Sequence, residues 1–194
     1  MGLIRRALPS RPIVGNIGSE RWCVPGWLAY SNVQYAVVAG TIYYLPMTID
    51  RPGLTFDRIG VRVNTAGAAG TLGRLAIYRA HPSTLLPDAL IADYGTIPTD
   101  ASNTDEVITI SWRPAPGLYW MASVFDGTPT VRGNGSGTAA IAPLTSLTTA
   151  IASSSAITYS VSGQSARVAG GFPTTAVAPT AQATDSPGRL RVAA

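Results

Sequence analysis

The sequence predicts an all-β protein, an antiparallel β-sandwich that is jelly-roll-like and follows an extended N-terminal arm. Three observations predict this class. Short segments of alternating apolar and polar residues recur along the chain, glycine (20) and proline (15) are frequent between them, and no long segment has helical spacing. At 194 residues the chain is long enough to bury the core of one domain.

Residues 1–26 are predicted to form the arm, because prolines and glycines interrupt any long helix or strand there. The sandwich is predicted to cover 27–194. A Ser/Thr/Gly-rich stretch at 133–156 predicts a long ordered loop, and a short helix within 138–153 stays open as an alternative. The predicted strands, in chain order, cover 41–49, 54–64, 73–80, 88–95, 106–112, 117–125, 130–133, 156–161 and 188–194. Pro46 predicts an edge or a bulge.

The alternation also predicts which side chains meet between the two sheets. This predicted core is Ile59, Val61, Val63, Leu75, Ile77, Leu118, Trp120 and Val124. Arginines such as Arg58 and Arg62 fall on the opposite face of the same strands. We expect that face to meet solvent or a partner and to discourage edge-to-edge association.

The chain carries a net positive charge, and all of its basic residues are of one type. All 14 basic residues are arginine, against 10 acidic residues, which gives a net charge of +4. This balance suits an anionic partner. No stripe of arginine interleaved with aromatic residues occurs, so no nucleic-acid binding is predicted, and a basic arm that docks on an acidic protein surface is favoured.

The residues needed for common enzyme chemistry are few, so we predict neither an enzyme nor a cofactor. A single histidine, His81, and a single cysteine, Cys23, cannot form a standard structural zinc site, and a catalytic triad would have to use His81 as its base, for which a polar loop residue is the favoured interpretation. His81 precedes a proline in a loop, and Cys23 beside Trp22 is expected to be a buried, inert thiol. Without lysine, neither Schiff-base chemistry nor a phosphate loop ending in lysine is possible.

Acidic residues offer two further hypotheses. Asp100, Asp105 and Glu106 could supply oxygens to a calcium ion, although Asp and Asn are also the usual residues of turns, and no metal site is predicted. Glycoside hydrolysis would need two carboxylates across a cleft. The candidates for that pair are Asp88, Asp93 and Asp126, and nothing in the sequence brings them together.

Aromatic residues could form a sugar-stacking platform. The candidate residues are Tyr94, Trp112, Arg113 and Tyr119. The competing interpretation is that these aromatic rings cover the rim of the sandwich or an inter-subunit contact.

The start of the chain has no apolar segment of the length found in secretory signals, and no run of about eighteen apolar residues follows. We therefore expect a soluble protein that is intracellular when made, without membrane insertion.

Several segments together resemble a β-sandwich domain that recurs in virion proteins of tailed bacteriophages, in tail fibres and in other head or tail appendages. The matching elements are a "YY.P" strand, a "TFDRIGV.V..AG" strand and turn, "LAIYR", an "LP..L..D.GT" hairpin, a "PG.YW.A" strand and a closing "LRV". The resemblance spans roughly residues 27 to 193.

This resemblance implies a virion structural protein, assembled in the host cytoplasm. The chain has no shaft repeats or coiled-coil heptads, which favours a compact, outward-facing decoration, spike or fibre component. We expect its arm to dock on other virion proteins of the capsid or tail, and we expect a homo-oligomer, with a trimer favoured and a pentamer next. The predicted arm contacts are Arg5, Arg6, Arg11, Trp22 and Trp27. The alternative is an adhesin that binds a host-surface glycan.

Overall fold

The computed structural model describes residues 22–23, 32–49, 52–134, 158–178, 180–182 and 189–192. Within these ranges the chain forms strands and one short helix, which confirms the all-β sandwich class. The elements are β1 (Trp22–Cys23), β2 (Asn32–Ala36), β3 (Ile42–Ile49), β4 (Phe56–Thr65), β5 (Leu72–Ala80), β6 (Pro87–Pro98), β7 (Thr104–Trp112), β8 (Gly117–Phe125), β9 (Thr130–Asn134), β10 (Thr158–Val161), α1 (Ala166–Gly170), β11 (Thr180–Gln182) and β12 (Arg189–Val192).

Two antiparallel sheets build the sandwich. Sheet A has the order β1-β12-β4-β9-β2, with β7 paired to β4 as well. Since β7 pairs with β4 over most of its length, β12 and β9 lie end to end on the other side of β4. Sheet B has the order β11-β10-β3-β8-β5-β6. The jelly-roll connectivity and the free N-terminal arm stay predictions.

The main core lies between the two sheets. Sheet A contributes Phe56 and Ile59, and sheet B contributes Tyr43, Leu75 and Ile77, all fully or almost fully buried. Each large apolar side chain buried in this way contributes about 1.5–3 kcal/mol to folding. The five core residues predicted on β4 and β5 are confirmed.

A second core covers the outer face of sheet B, and it overturns part of the predicted packing. Leu118, Trp120 and Val124 were expected between the sheets, and this prediction is wrong: they pack on the outer face. The alternate residues of β8, among them Tyr119 and Met121, face sheet A instead. Because β8 is buried on both sides, its alternation does not identify the inner face.

Residues 162–178, which we call the strap, complete this second core. They contain α1 and cross the outer face of sheet B, where Val168 and Phe172 are buried. The Tyr78 ring lies edge-on to Phe172, with ring centroids 6.1 Å apart. Sheet B is therefore enclosed between sheet A and the strap.

Polar anchors hold the strap in place. The Tyr78 hydroxyl donates to the Pro173 carbonyl at 2.7 Å. At its start the Gln164 amide donates to the Gly40 carbonyl at 2.6 Å, and near its end the Ala176 amide donates to the Asp88 carbonyl at 2.7 Å. These bonds fix the strap at both ends as well as at its middle.

A loop between β5 and β6 covers the remaining part of the second core. The Trp120 indole Nε1 donates to the Leu85 carbonyl at 2.9 Å. His81 shapes this loop, because its Nδ1 accepts from the amides of Ser83 and Thr84 at 3.2 Å each. The histidine thus has a structural contact in a loop, as the sequence suggested.

The sequence located most strands but missed three. β8 agrees with its predicted bounds, whereas β1, β2 and β11 were not predicted. Pro46 pairs with Trp120 of β8 and lies beyond Tyr44, where the pairing of β3 with β10 ends, so among the described strands it has a neighbour on one side only. The helix considered within 138–153 and most of the predicted loop lie outside the described residues. The helix α1 comes later in the chain.

Candidate interaction surfaces

The residues predicted for the docking arm are only partly described. Trp22 belongs to β1, where its backbone pairs with that of Arg191 in β12. This part of the segment is therefore a strand of sheet A. Arg5, Arg6, Arg11 and Trp27 lie outside the described residues.

The predicted sugar platform is not formed on the surface. Trp112 is 8% exposed and Tyr119 is 4% exposed, and both belong to the main core. The indole of Trp112 stacks on Phe56 with ring centroids 5.3 Å apart, and Tyr119 meets it edge-on at 5.2 Å. Neither ring has a free face on which a sugar could stack.

The other two platform residues do not complete a site. Tyr94 on β6 is half-buried and packs against the main core, and this burial raises the pKa of its hydroxyl to about 12. Arg113 is exposed just after β7. The competing interpretation placed these rings at the rim of the sandwich or in an inter-subunit contact, whereas Trp112 and Tyr119 lie in the main core.

The acidic residues have structural partners within the described part of the chain. Asp100 accepts a hydrogen bond from the Gly70 amide at 3.0 Å, and Asp126 accepts one from the Leu72 amide at 2.7 Å. Asp105 pairs with Arg62 at 3.4 Å. Among the described residues, no group of three or more His, Cys, Asp or Glu is arranged to hold a metal ion. The same residues include no helix long and apolar enough to span a membrane.

Asp93 has the most contacts of these carboxylates. It accepts from Arg74 Nε at 2.8 and 2.9 Å, from the Gly95 amide at 3.0 Å and from the Phe172 amide at 2.9 Å. Arg74 in turn donates from Nη1 to the Val168 carbonyl at 2.9 Å. This ion pair joins β5 and β6 to the strap, so its geometry is that of a structural anchor.

The outer face of sheet A carries a concentration of arginines, which we call the arginine face. In β4, Ile59, Val61 and Val63 point into the core, so Arg58 and Arg62 point outward. Pairing between strands adds more basic residues to this face. The positions on the face that carry arginine are Arg58, Arg62, Arg132, Arg189 and Arg191.

Strand register sets the arrangement of these positions. Arg191 stands directly opposite Arg58, and Arg189 directly opposite Gly60. On β9, Arg132 lies beside the far end of β4 and donates from Nε to Asn64 Oδ1 at 3.3 Å. Trp22 is in register with Arg191, at the margin of the face.

Carboxylates neutralise the arginine face only in part. Asp105 pairs with Arg62, but its side chain is 68% exposed, so the bond is of the weak, solvent-screened kind. Asp57 lies next to Arg58 at the bulge in β4, and it has an interaction of its own. Among the residues that the structure describes, five positions on this face carry arginine and two carry a carboxylate, so the formal charge of these positions is positive.

Sequence reasoning identified only part of this face. The alternation in β4 placed Arg58 and Arg62 opposite the core, and the structure confirms this. Arg132, Arg189 and Arg191 come to the same face through strand pairing, for which the local pattern gives no signal.

No family model matches the chain, and no curated protein matches it.

Proposed function

We propose that this chain is a structural protein of a bacteriophage virion, a compact and outward-facing decoration, spike or fibre component. Its N-terminal segment anchors it to other virion proteins of the capsid or tail. The proposal rests on the resemblance of the sequence to phage appendage domains. The observation that carries it is the position, in the sandwich, of the motifs that make up this resemblance.

Three of these motifs supply neighbouring residues to opposite sides of sheet B. In the "YY.P" strand, Tyr43 enters the main core and Tyr44 the second core. In the "PG.YW.A" strand, Tyr119 and Trp120 divide in the same way. The third motif, "LAIYR", sends Leu75 and Ile77 inward and Ala76 and Tyr78 outward.

The resemblance therefore concerns an arrangement with two cores, in which both faces of one sheet are enclosed. That arrangement is more specific than a generic sandwich, in which one face of each sheet is commonly solvated. The quoted motifs occupy these enclosed positions in this chain, which supports the resemblance, and the resemblance supports the virion role.

Incorporation into particles tests the proposal. A phage that carries this gene without the codons for residues 2–21 retains β1, and its protein should fold but be absent from purified particles. A full-length Arg79→Gln variant is the control, because Arg79 is exposed on sheet B and far in sequence from the deleted segment. Incorporation of the truncated protein at the wild-type copy number would contradict the anchoring role. Absence of the full-length protein from particles would contradict the virion role itself.

We further propose a cyclic homo-oligomer, with a trimer first and a pentamer next. Light scattering of the purified protein, with and without residues 1–21, measures the copy number directly. An oligomer that survives the truncation places the assembly contacts on the sandwich. A monomer in both forms contradicts self-assembly in solution.

The adhesin alternative can no longer rest on Trp112 and Tyr119, because both rings are buried. The arginine face still favours glycan binding. It favours an anionic glycan bound by guanidinium groups, rather than a sugar that stacks on aromatic rings.

A further inference from the structure

We infer that the arginine face of sheet A binds a linear anionic polysaccharide, one that carries sulfate or carboxylate groups along its chain. This inference stands on the geometry of the face and does not require the virion role.

The first step concerns charge. Arg58 and Arg191 are directly opposite each other on neighbouring strands. Register thus brings two arginine positions together, and an anion that lies over them would be attracted to both. The guanidinium fork binds sulfate and carboxylate through two parallel hydrogen bonds. The face thus matches the groups of an anionic sugar chain.

The second step concerns shape. Arg58 and Arg62 are four residues apart on one strand, about 13 Å, whereas neighbouring strands are about 4.8 Å apart. The arginine positions follow β4 and the line of β12 and β9 beside it, so they form a track that is longer than it is wide. Between the two arginines of β4 lies Gly60, which is buried, and the exposed Val107 of β7 stands opposite it.

Glycine at this position is required by packing within the sheet as well. A Cβ atom at Gly60 would meet the main-chain oxygen of Glu106 and would lie 3.2 Å from Val107 Cα. The Val107 side chain would also lie 3.3 Å from that Cβ, so β7 packs closely against β4 at the middle of the track.

The third step separates a polysaccharide from other polyanions. The described residues beside the track are mostly small or polar, such as the exposed Gln34, Thr109 and Ser111, which suit a hydroxyl-rich ligand. Where side-chain exposure is described on sheet A's outer face, Val107, 38% exposed, is the large hydrophobic residue that reaches solvent. Stable protein interfaces have an apolar, aromatic-rich centre. Single-stranded nucleic acids need successive aromatic rings, and register brings only Trp22 to this face among the described residues.

Binding of purified, full-length protein to defined polymers tests the inference. The probes are heparin as the sulfated chain, polygalacturonate as the carboxylated chain and dextran as the uncharged chain. Poly-L-glutamate and a DNA oligonucleotide, single-stranded and duplex, represent the other classes of polyanion. Titration calorimetry at several salt concentrations gives the affinity and its salt dependence.

The discriminating variant is Arg58→Gln/Arg62→Gln. Its matched control, Arg79→Gln/Arg167→Gln, removes the same charge from the sheet B side of the molecule. We expect the first pair to weaken polysaccharide binding by at least about tenfold, because each lost charged hydrogen bond is worth that much. The slope of log affinity against log salt should also fall by about two. The control pair should change the affinity by less than about twofold.

A third variant guards against loss of folding. Arg58→Lys/Arg62→Lys keeps both charges but loses the fork geometry, so it should bind with intermediate affinity. Equal weakening by the test and control pairs would show that only net charge matters and would overturn the inference. Tighter binding of poly-L-glutamate or DNA than of either anionic polysaccharide would overturn it too, as would the absence of binding to both anionic polysaccharides at low salt.

Discussion

Replacing Asp93 by alanine should loosen the strap and destabilise the protein. The carboxylate accepts two contacts from Arg74 and one each from the amides of Gly95 and Phe172, all between 2.8 and 3.0 Å. The side chains of Arg74 and Asp93 are 20% and 18% exposed, so the substitution leaves a largely buried guanidinium without its carboxylate.

The magnitude follows from these contacts. Breaking a fully buried ion pair costs about 3–5 kcal/mol, and a hydrogen bond to a charged group is worth about 1.5–3 kcal/mol. Both side chains keep some contact with water, which compensates part of the loss. We therefore expect a decrease of about 2–4 kcal/mol in the free energy of unfolding. For a chain of this size, that decrease lowers the melting temperature by about 4–16 °C.

Two measurements locate the effect. Urea unfolding followed by tryptophan fluorescence gives the change in stability. Hydrogen exchange should show that the amides of Phe172, Ala176 and Leu90 lose protection before those of β4 do. These amides bond between the strap and β6, so they report on detachment of the strap.

Two further variants serve as comparisons for Asp93→Ala. Asp100→Ala removes the same charge but loses only one exposed hydrogen bond, to Gly70, and should cost less than about 1 kcal/mol. Arg74→Met/Asp93→Ala should recover part of the loss, because it also removes the uncompensated guanidinium. If Asp93→Ala unfolds within about 0.5 kcal/mol of the wild type, or leaves exchange at Phe172 unchanged, the anchoring role of this pair is refuted.

Three other predictions follow from the packing. Trp112→Ala should lower the free energy of unfolding by about 3–5 kcal/mol, measured by urea denaturation, because the indole stacks on Phe56 in the main core. Gly60→Ala should lower the melting temperature measured by circular dichroism, because its new Cβ would meet the Glu106 main-chain oxygen. The contribution of Tyr94 to stability should fall between about pH 10 and 12, because burial raises its pKa from 10.0 to about 12 and its neutral form is favoured in the folded state. Urea unfolding at a series of pH values, with tyrosinate absorbance as the second signal, measures this fall.

Each of these predictions has its own control. Arg113→Ala changes an exposed side chain next to Trp112 and should alter stability by less than about 0.5 kcal/mol. Gly170→Ala adds a Cβ that would meet nothing within 4 Å, so it should be well tolerated. Tyr94→Phe should reduce the loss of stability above pH 10. If Tyr94→Phe leaves this loss of stability unchanged, the loss comes from other groups. Tyr44 is one of them, because burial raises its pKa to about 12.

Strands β4 and β7 of sheet A were predictable from the sequence because each is buried on one face only, whereas β1 and β2 of the same sheet were not predicted. In β4, the apolar Ile59, Val61 and Val63 point into the core and the polar residues between them point outward. The alternation of the sequence therefore identifies the inner and the outer face of this strand. Sheet B departs from this rule. Along β8, every residue from Tyr119 to Phe125 is buried, and the alternation then says nothing about which face is inner.

A signal for the second core was nevertheless present. A continuous apolar run of four to eight residues is typical of a strand buried on both faces, and β3 and β8 both contain one. Which segment covers the outer face could not be predicted in the same way. The strap meets β5 through contacts such as Arg74 to Val168, 94 residues apart, and no local pattern encodes such a pairing.

The difference between the sheets also limits where a partner can bind. The outer face of sheet B is occupied by the strap, and its Tyr78 and Trp120 are fully buried. The outer face of sheet A has no such cover among the described residues, and it carries arginines at positions set by backbone pairing. On this face Arg62 stands opposite Asp105, an opposite charge, whereas Arg58 stands opposite Arg191, a second arginine position. An anion bound over neighbouring arginine positions would be attracted to each of them, as the proposed polysaccharide requires. Recognition through the arginine positions of sheet A is therefore a better expectation for this fold than stacking on the buried rings of Trp112 and Tyr119.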